Sequence, residues 1–213
     1  MSERQVLELG DIVLQSGVTL RSAQLAYTTV GTLNEARDNV IVMPTYYGAQ
    51  DVDLLPILRS WPALDASRYV IVIPNLFGNG VSTSPSNASL PFDRAGFPRV
   101  TVYDNVVCQH RLLFTHLGVR RIRLFVGFSM GAQQAFQWGC LYPELLDGVA
   151  AICGTPRTSP HNVVFLEGLK AALTADAAFR DGWYEAPPDK GLVAFSRIYA
   201  GWMYSQDLSL IHI

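Results

Sequence analysis

Charge is scarce in this chain and nearly balanced. Only 16% of its 213 residues are Asp, Glu, Lys or Arg, and 16 basic side chains stand against 18 acidic ones. A net charge of -2 gives no electrostatic reason to expect nucleic acid or an anionic membrane as partner. Cysteine is equally sparse. Cys108, Cys140 and Cys153 are odd in number and lack metal-ligand spacing, so neither a disulfide framework nor a metal site is expected. Each is read as a small buried hydrophobe. No apolar run approaches the roughly 20 residues of a membrane span. The opening MSERQVLELGD lacks the basic-then-apolar layout of a signal peptide. The expectation is a soluble, cytoplasmic protein with small-molecule substrates and no metal, nucleic-acid or membrane partner. What the chain does have is apolar residues, 49% of the total, enough for one sizeable core.

The apolar residues come in two patterns. In the first 30 residues, QVLELGDIVLQ and VTLRSAQLAYTTVG alternate apolar with polar around a Ser16-Gly17 turn, which predicts antiparallel strands. Further on, NVIVMP (39–44), RYVIVIPN (68–75), IRLFVG (122–127) and LDGVAAICG (146–154) are short continuous apolar runs. That is the signature of parallel strands covered on both faces. Residues 101–118 read as a helix that opens on a Thr101–Asp104 capping box and stops at Gly118. Residues 130–142 read as another, stopping before Pro143. Strands alternating with helices predict an α/β fold with a mostly parallel sheet.

Residues 75–100 are a long loop rich in Gly, Ser and Pro, of a length that is usually functional or mobile. After Gly154 the strand signals stop, and 161–173 and 191–205 look helical. The organisation expected is a core over 1–158 and a helical lid or cap, only partly present, over 159–213.

One short stretch carries chemistry. In Gly127-Phe128-Ser129-Met130-Gly131 a serine sits between two glycines, where a buried strand meets a helix. G-x-S-x-G in that context is a nucleophile elbow, a turn so tight that side chains beside the serine would clash. Ser129 is the candidate covalent nucleophile. The backbone N–H of Met130, at a helix N-terminus, suits a developing oxyanion. A second donor should come from the loop after an earlier strand. MPTYYGAQ (43–50) supplies the backbone N–H of Tyr46 or Tyr47, with Tyr46 preferred.

These residues resemble the homoserine O-acetyltransferase group of the α/β-hydrolase fold, over about residues 25 to 205. The most specific stretch is FPRVTVYDNVVCQHRLLFTHLGVRRIRLFVGFSMGAQQAFQWGCLYPE (97–144), and TPRTSPHNVVFLEGLKAAL (155–173) is similar to the family segment leading into its lid. The resemblance implies an α/β-hydrolase sheet with N-terminal antiparallel strands, and acyl transfer through a Ser129 acyl-enzyme. It also implies acetyl-CoA as co-substrate, an amino-acid alcohol such as homoserine as acceptor, a place in methionine biosynthesis, and a homodimer. Arg197 and Tyr204 in SRIYAGWMYS (196–205) fall where the family has a substrate-binding arginine and tyrosine; Arg157 is a weaker candidate. A guanidinium grips a carboxylate in two places and stays charged, which gives Arg197 a physical rationale. Departures bear on the acceptor: Phe128 precedes the serine, Ala132 replaces a second glycine, and Pro44 stands where the family has a histidine.

The elbow needs a base and an acid, in the chain order Ser, Asp or Glu, His. His110 and His116 lie on a layer helix, His161 at the start of the lid, and His212 in the tail LSLIHI. Asp176, Asp181, Asp189 and Asp207 sit in lid-like segments. Neither partner can be assigned, so the expectation is a truncated and nearly inactive chain. Three functions stand side by side: an acyltransferase, an esterase with water as acceptor, and a non-catalytic remnant.

Overall fold

The computed structural model describes residues 3–205 and residue 207. They fall into two compact units, 1–156 and 157–213.

The first unit is built on one six-stranded sheet in the order β1-β2-β4-β3-β5-β6. β1 (Gln5–Val13) and β2 (Thr19–Val30) form the antiparallel hairpin expected from their alternation, and β2 continues antiparallel onto β4 (Val70–Pro74). β3 (Val40–Val42), β5 (Ile122–Phe128) and β6 (Val149–Ile152) complete the sheet in parallel. The continuous apolar runs are explained by burial on both faces. Val40, Val42, Val70, Val72, Ile122 and Phe125 point to one face, where α2 (Val102–His110) and α3 (Met130–Leu141) bring Val106, Ala135 and Trp138. The residues between them, Ile41, Met43, Ile71, Ile73 and Val126, point to the other and meet Leu54 and Leu58 of α1 (Asp51–Ser60). Alternating side chains on a strand thus feed two cores at once.

α2 starts on the predicted capping box: Asp104 N–H donates to Thr101 Oγ1 and Thr101 N–H to Asp104 Oδ2. Beyond His110 the helix widens into a π-helical turn, Arg111–His116, that the sequence pattern does not announce. Of the two expectations for the loop 75–100, functional or mobile, its ties to the sheet speak against mobility. Thr83 N–H donates to Gln24 O at 2.9 Å, and Ala26 N–H donates to Ser82 Oγ at 3.0 Å. Ser82, Thr83 and Ser84 are buried. Only one of the three cysteines is buried; Cys140 and Cys153 are exposed.

The second unit pairs α4 (Pro160–Thr174) with α5 (Asp189–Met203) along an aromatic seam, in which the rings of Phe165 and Trp202 stack at 4.6 Å. Among the described residues no helix is long and apolar enough to cross a membrane.

Candidate active site

The join between β5 and α3 is where the sheet imposes most on its sequence. β5 runs through Phe128, α3 begins at Met130, and Ser129 alone makes the turn, at φ 50° and ψ −115°. A non-glycine residue held there carries about 1–3 kcal/mol of strain, which its surroundings must impose. They do so from both sides. Ser129 N–H donates to Ile152 O at 2.9 Å, and Ser129 O accepts from Ala132 N–H at 3.0 Å and Gln133 N–H at 3.2 Å. The side chain is left exposed at the end of the parallel strands.

Three glycines make that turn possible. A Cβ on Gly127 would lie 2.1 Å from Gly131 O, and one on Gly131 would lie 3.2 Å from Pro44 O. The third, Gly154, was not marked by any motif: a Cβ there would come within 2.4 Å of Ala132 Cβ and 2.7 Å of Ser129 O. A glycine two residues after a strand is its only signal. Phe128, expected to bear on the pocket, packs its ring on Trp61 at 5.2 Å, on the α1 side of the sheet.

The sequence leads one to expect two backbone donors at the turn. Met130 is the first residue of α3, so its N–H has no intrahelical acceptor. The loop after β3 lies against the same helix, with Pro44 O close to Gly131. In that loop Tyr46 O accepts from Ala49 N–H at 3.0 Å, while neither Tyr46 N–H nor Met130 N–H donates to an acceptor among the described residues. Tyr46 is half-buried, packed on the α1-side core, and Tyr47 is exposed.

The histidines of the first unit are engaged elsewhere. His110 stacks on Tyr142 at 4.4 Å and Phe114 at 4.9 Å, and burial pushes its pKa down. His116 Nε2 shares a hydrogen bond of 3.1 Å with Tyr27 Oη. No base for Ser129 is identified among the described residues of this unit. In the second unit His161 packs its ring on Trp202 at 5.4 Å, and Asp176 caps neighbouring backbone, accepting from Gly191 and Ala178 N–H. Arg197 lies exposed on α5 with no carboxylate partner among the described residues. Tyr204 is the C-cap of that helix, in extended conformation, so it leaves the helical path that would have placed it on the face of Arg197. Arg157 is the first residue of the second unit. His212 lies outside the described residues. Among the described residues no cluster of His, Cys, Asp and Glu could hold a metal ion.

Comparison with known proteins is consistent with this geometry. The chain is 37% identical over 183 residues to an ethyl acetate hydrolase of Pseudomonas veronii, covering 85% of this chain and 52% of that protein. It is 38% identical over 192 residues to a homoserine O-acetyltransferase of Chlorobium luteolum, covering 84% and 52%. The solved acetyl esterase MekB superposes with a TM-score of 0.92 at 33% identity, over 96% of this chain and 60% of that one. The chain thus spans between half and two-thirds of the length of these relatives. Residues 40–202 match the alpha/beta hydrolase fold family. With a parallel sheet fed by an antiparallel hairpin, and a strained serine at a strand-to-helix elbow, the chain belongs to that family.

Proposed function

We propose that Ser129 is the nucleophile of a serine esterase acting on short-chain, acetyl-type esters. The observation that supports it most is the pairing of a strained, exposed serine with two backbone N–H groups that have no acceptor among the described residues. Strain of this kind persists where the fold over-determines it and gathers at active sites. In the reaction, Ser129 Oγ attacks the ester carbonyl carbon and gives its proton to a base. The carbonyl oxygen takes the negative charge and is held by the N–H groups of Tyr46 and Met130. Collapse expels the alcohol and leaves an acetyl group on Ser129. Water then attacks that ester through a second tetrahedral state and releases acetate. Oxyanion donors of this type each contribute about 10²–10³ in rate. The hydrolytic relatives, one of them named for ethyl acetate, support water as acceptor and acetyl as acyl group.

A second reading keeps the acetyl-Ser129 intermediate and changes its partners: acetyl-CoA as donor and the hydroxyl of an amino-acid-like acceptor in place of water. It is supported by the homoserine O-acetyltransferase relative and by the exposed Arg197, whose guanidinium suits a carboxylate and has no carboxylate partner among the described residues. Under this reading Arg197→Lys lowers acceptor use by more than donor use, because lysine keeps the charge and loses the planar fork.

The test of the common chemistry uses the 213-residue chain with 4-nitrophenyl acetate and imidazole as an added base, which the exposed position of Ser129 leaves free to approach. Release of 4-nitrophenolate above the Ser129→Ala background is expected. Equal release from the two proteins would overturn the proposal.

A further inference from the structure

A chain of buried side-chain hydrogen bonds ties the helix after Ser129 to the peptide that presents Tyr46. Trp138 Nε1 donates to Gln109 Oε1 at 2.9 Å, Gln109 Nε2 donates to Gln134 Oε1 at 2.6 Å, and Gln134 Nε2 donates to the Thr45 carbonyl at 2.9 Å. All four residues are fully buried. The direction of the chain is fixed at both ends. An indole N–H can only donate and a carbonyl can only accept, so each amide between them has one consistent orientation. Gln134 Nε2 also lies 3.3 Å from Met130 O, in the first turn of α3.

The consequence lies in one peptide group. The Thr45 carbonyl and the Tyr46 N–H belong to the same planar trans unit, so they point in opposite directions. Fixing the carbonyl on Gln134 fixes the N–H pointing away from it. Thr45 is held further by Thr45 N–H donating to Pro74 O at 3.1 Å and by Leu76 N–H donating to Thr45 Oγ1 at 3.1 Å. Rotation of this peptide would turn the Tyr46 donor aside and leave Gln134 with a buried, unmatched N–H.

We infer that Gln134 is a positioning residue that locks the Thr45–Tyr46 peptide plane and thereby aims the Tyr46 oxyanion donor. This rests on the reading of Tyr46 and Ser129 given above. Among the described residues the Gln109 side chain bonds Gln134 and Trp138 and makes no hydrogen bond to the loop, so it separates positioning from plain core stability. Gln134→Met and Gln109→Met each remove one buried amide at nearly constant shape. Both should lower the urea midpoint, and only the first frees the Thr45 carbonyl.

The probe is diethyl 4-nitrophenyl phosphate with imidazole as base. Ser129 Oγ bonds to phosphorus, imidazole takes the proton, 4-nitrophenolate leaves with the electron pair, and the phosphoryl oxygen occupies the oxyanion position. Gln134→Met should slow Ser129 adduct formation about 100-fold, the scale of one lost oxyanion donor, and Gln109→Met by less than about threefold. Equal rates in the two variants would overturn the inference. If the wild-type chain forms no adduct, the reading of Ser129 fails, and amide exchange decides the positioning separately. The Ala49 N–H, bonded to Tyr46 O, should then exchange about tenfold faster in Gln134→Met than in Gln109→Met, matching about 1.4 kcal/mol of lost restraint. Equal exchange would overturn it on that ground too.

Discussion

Adding one methyl group at Gly127 should do more damage than almost any other single-carbon change in the protein. The new Cβ would lie 2.1 Å from Gly131 O, 2.2 Å from Gly131 C and 2.7 Å from Ala132 N. Carbon contacts are comfortable near about 3.5–4.0 Å, so the shortfall exceeds 1 Å against the closest atoms. All three obstacles are backbone in the first turn of α3, so no side chain can swing away; β5 and α3 must part. Ordinary overpacking costs about 1–3 kcal/mol. Because backbone has to move, the expected loss for Gly127→Ala is about 3 kcal/mol or more, a large share of the roughly 5–15 kcal/mol of a typical domain. Gly139→Ala is the control. It lies in the same helix, and its Cβ would meet only Val149 Cγ2 at 4.0 Å, so removing a flexible residue from a helix interior should stabilise by about 0.5–1 kcal/mol. Urea unfolding followed by the fluorescence of Trp61 and fully buried Trp138 reports on this unit, in a background where Trp183 and Trp202 are phenylalanine. A Gly127→Ala unfolding free energy within about 1 kcal/mol of the parent would refute the steric reasoning.

Two further predictions concern charge and thiols. Burial pushes the Asp51 carboxyl up, but hydrogen bonds from Arg4 and Thr28 and the Arg4 charge outweigh it, so its pKa is held below the usual carboxylate range. A depressed folded pKa stabilises above the unfolded value near about 3.9, and that contribution is lost as pH falls through the folded pKa. Asp51→Asn should therefore cost about 2–4 kcal/mol at pH 7, with the gap to wild type closing in acid below about pH 4; a gap unchanged in acid would contradict the ion pair. Burial pushes the Cys108 thiol up to about 12, whereas Cys140 and Cys153 are exposed. Native protein should give two reactive thiols to an aromatic disulfide reagent at pH 8 and a third only in denaturant; three rapid reactions would place Cys108 wrongly.

Legibility in the sequence followed the range of each constraint. The parallel strands showed themselves because burial on both faces leaves no polar position in a run such as Val70–Pro74. The elbow showed itself because Gly127 and Gly131 answer a clash only four residues wide. α1 did not, since Pro56 sits inside it and its N-cap, Gln50, is not among the usual capping residues. Gly154 and Gln134 were invisible for another reason. Each answers to a partner brought close only by the folded sheet: Ala132 for the glycine, Thr45 and Gln109 for the amide. A buried glutamine looks like any helical glutamine until its partners are in place. The ties of the loop 75–100 stayed hidden because Ser82 and Thr83 hydroxyls bond strand backbone there, and such residues read as turn formers. Cys140 and Cys153 misled because a composition rule about burial cannot see that one lies in the last turn of α3 and the other follows β6.

The most direct measurement of whether this serine is the nucleophile is peptide mass spectrometry on the 213-residue chain. The sample is quenched in acid during reaction with 4-nitrophenyl acetate in imidazole buffer. A single acetyl group on the peptide containing Ser129, absent from Ser129→Ala, is the expected result. Acetyl groups scattered over Lys170, Lys190 and tyrosines, equally in both proteins, would contradict it.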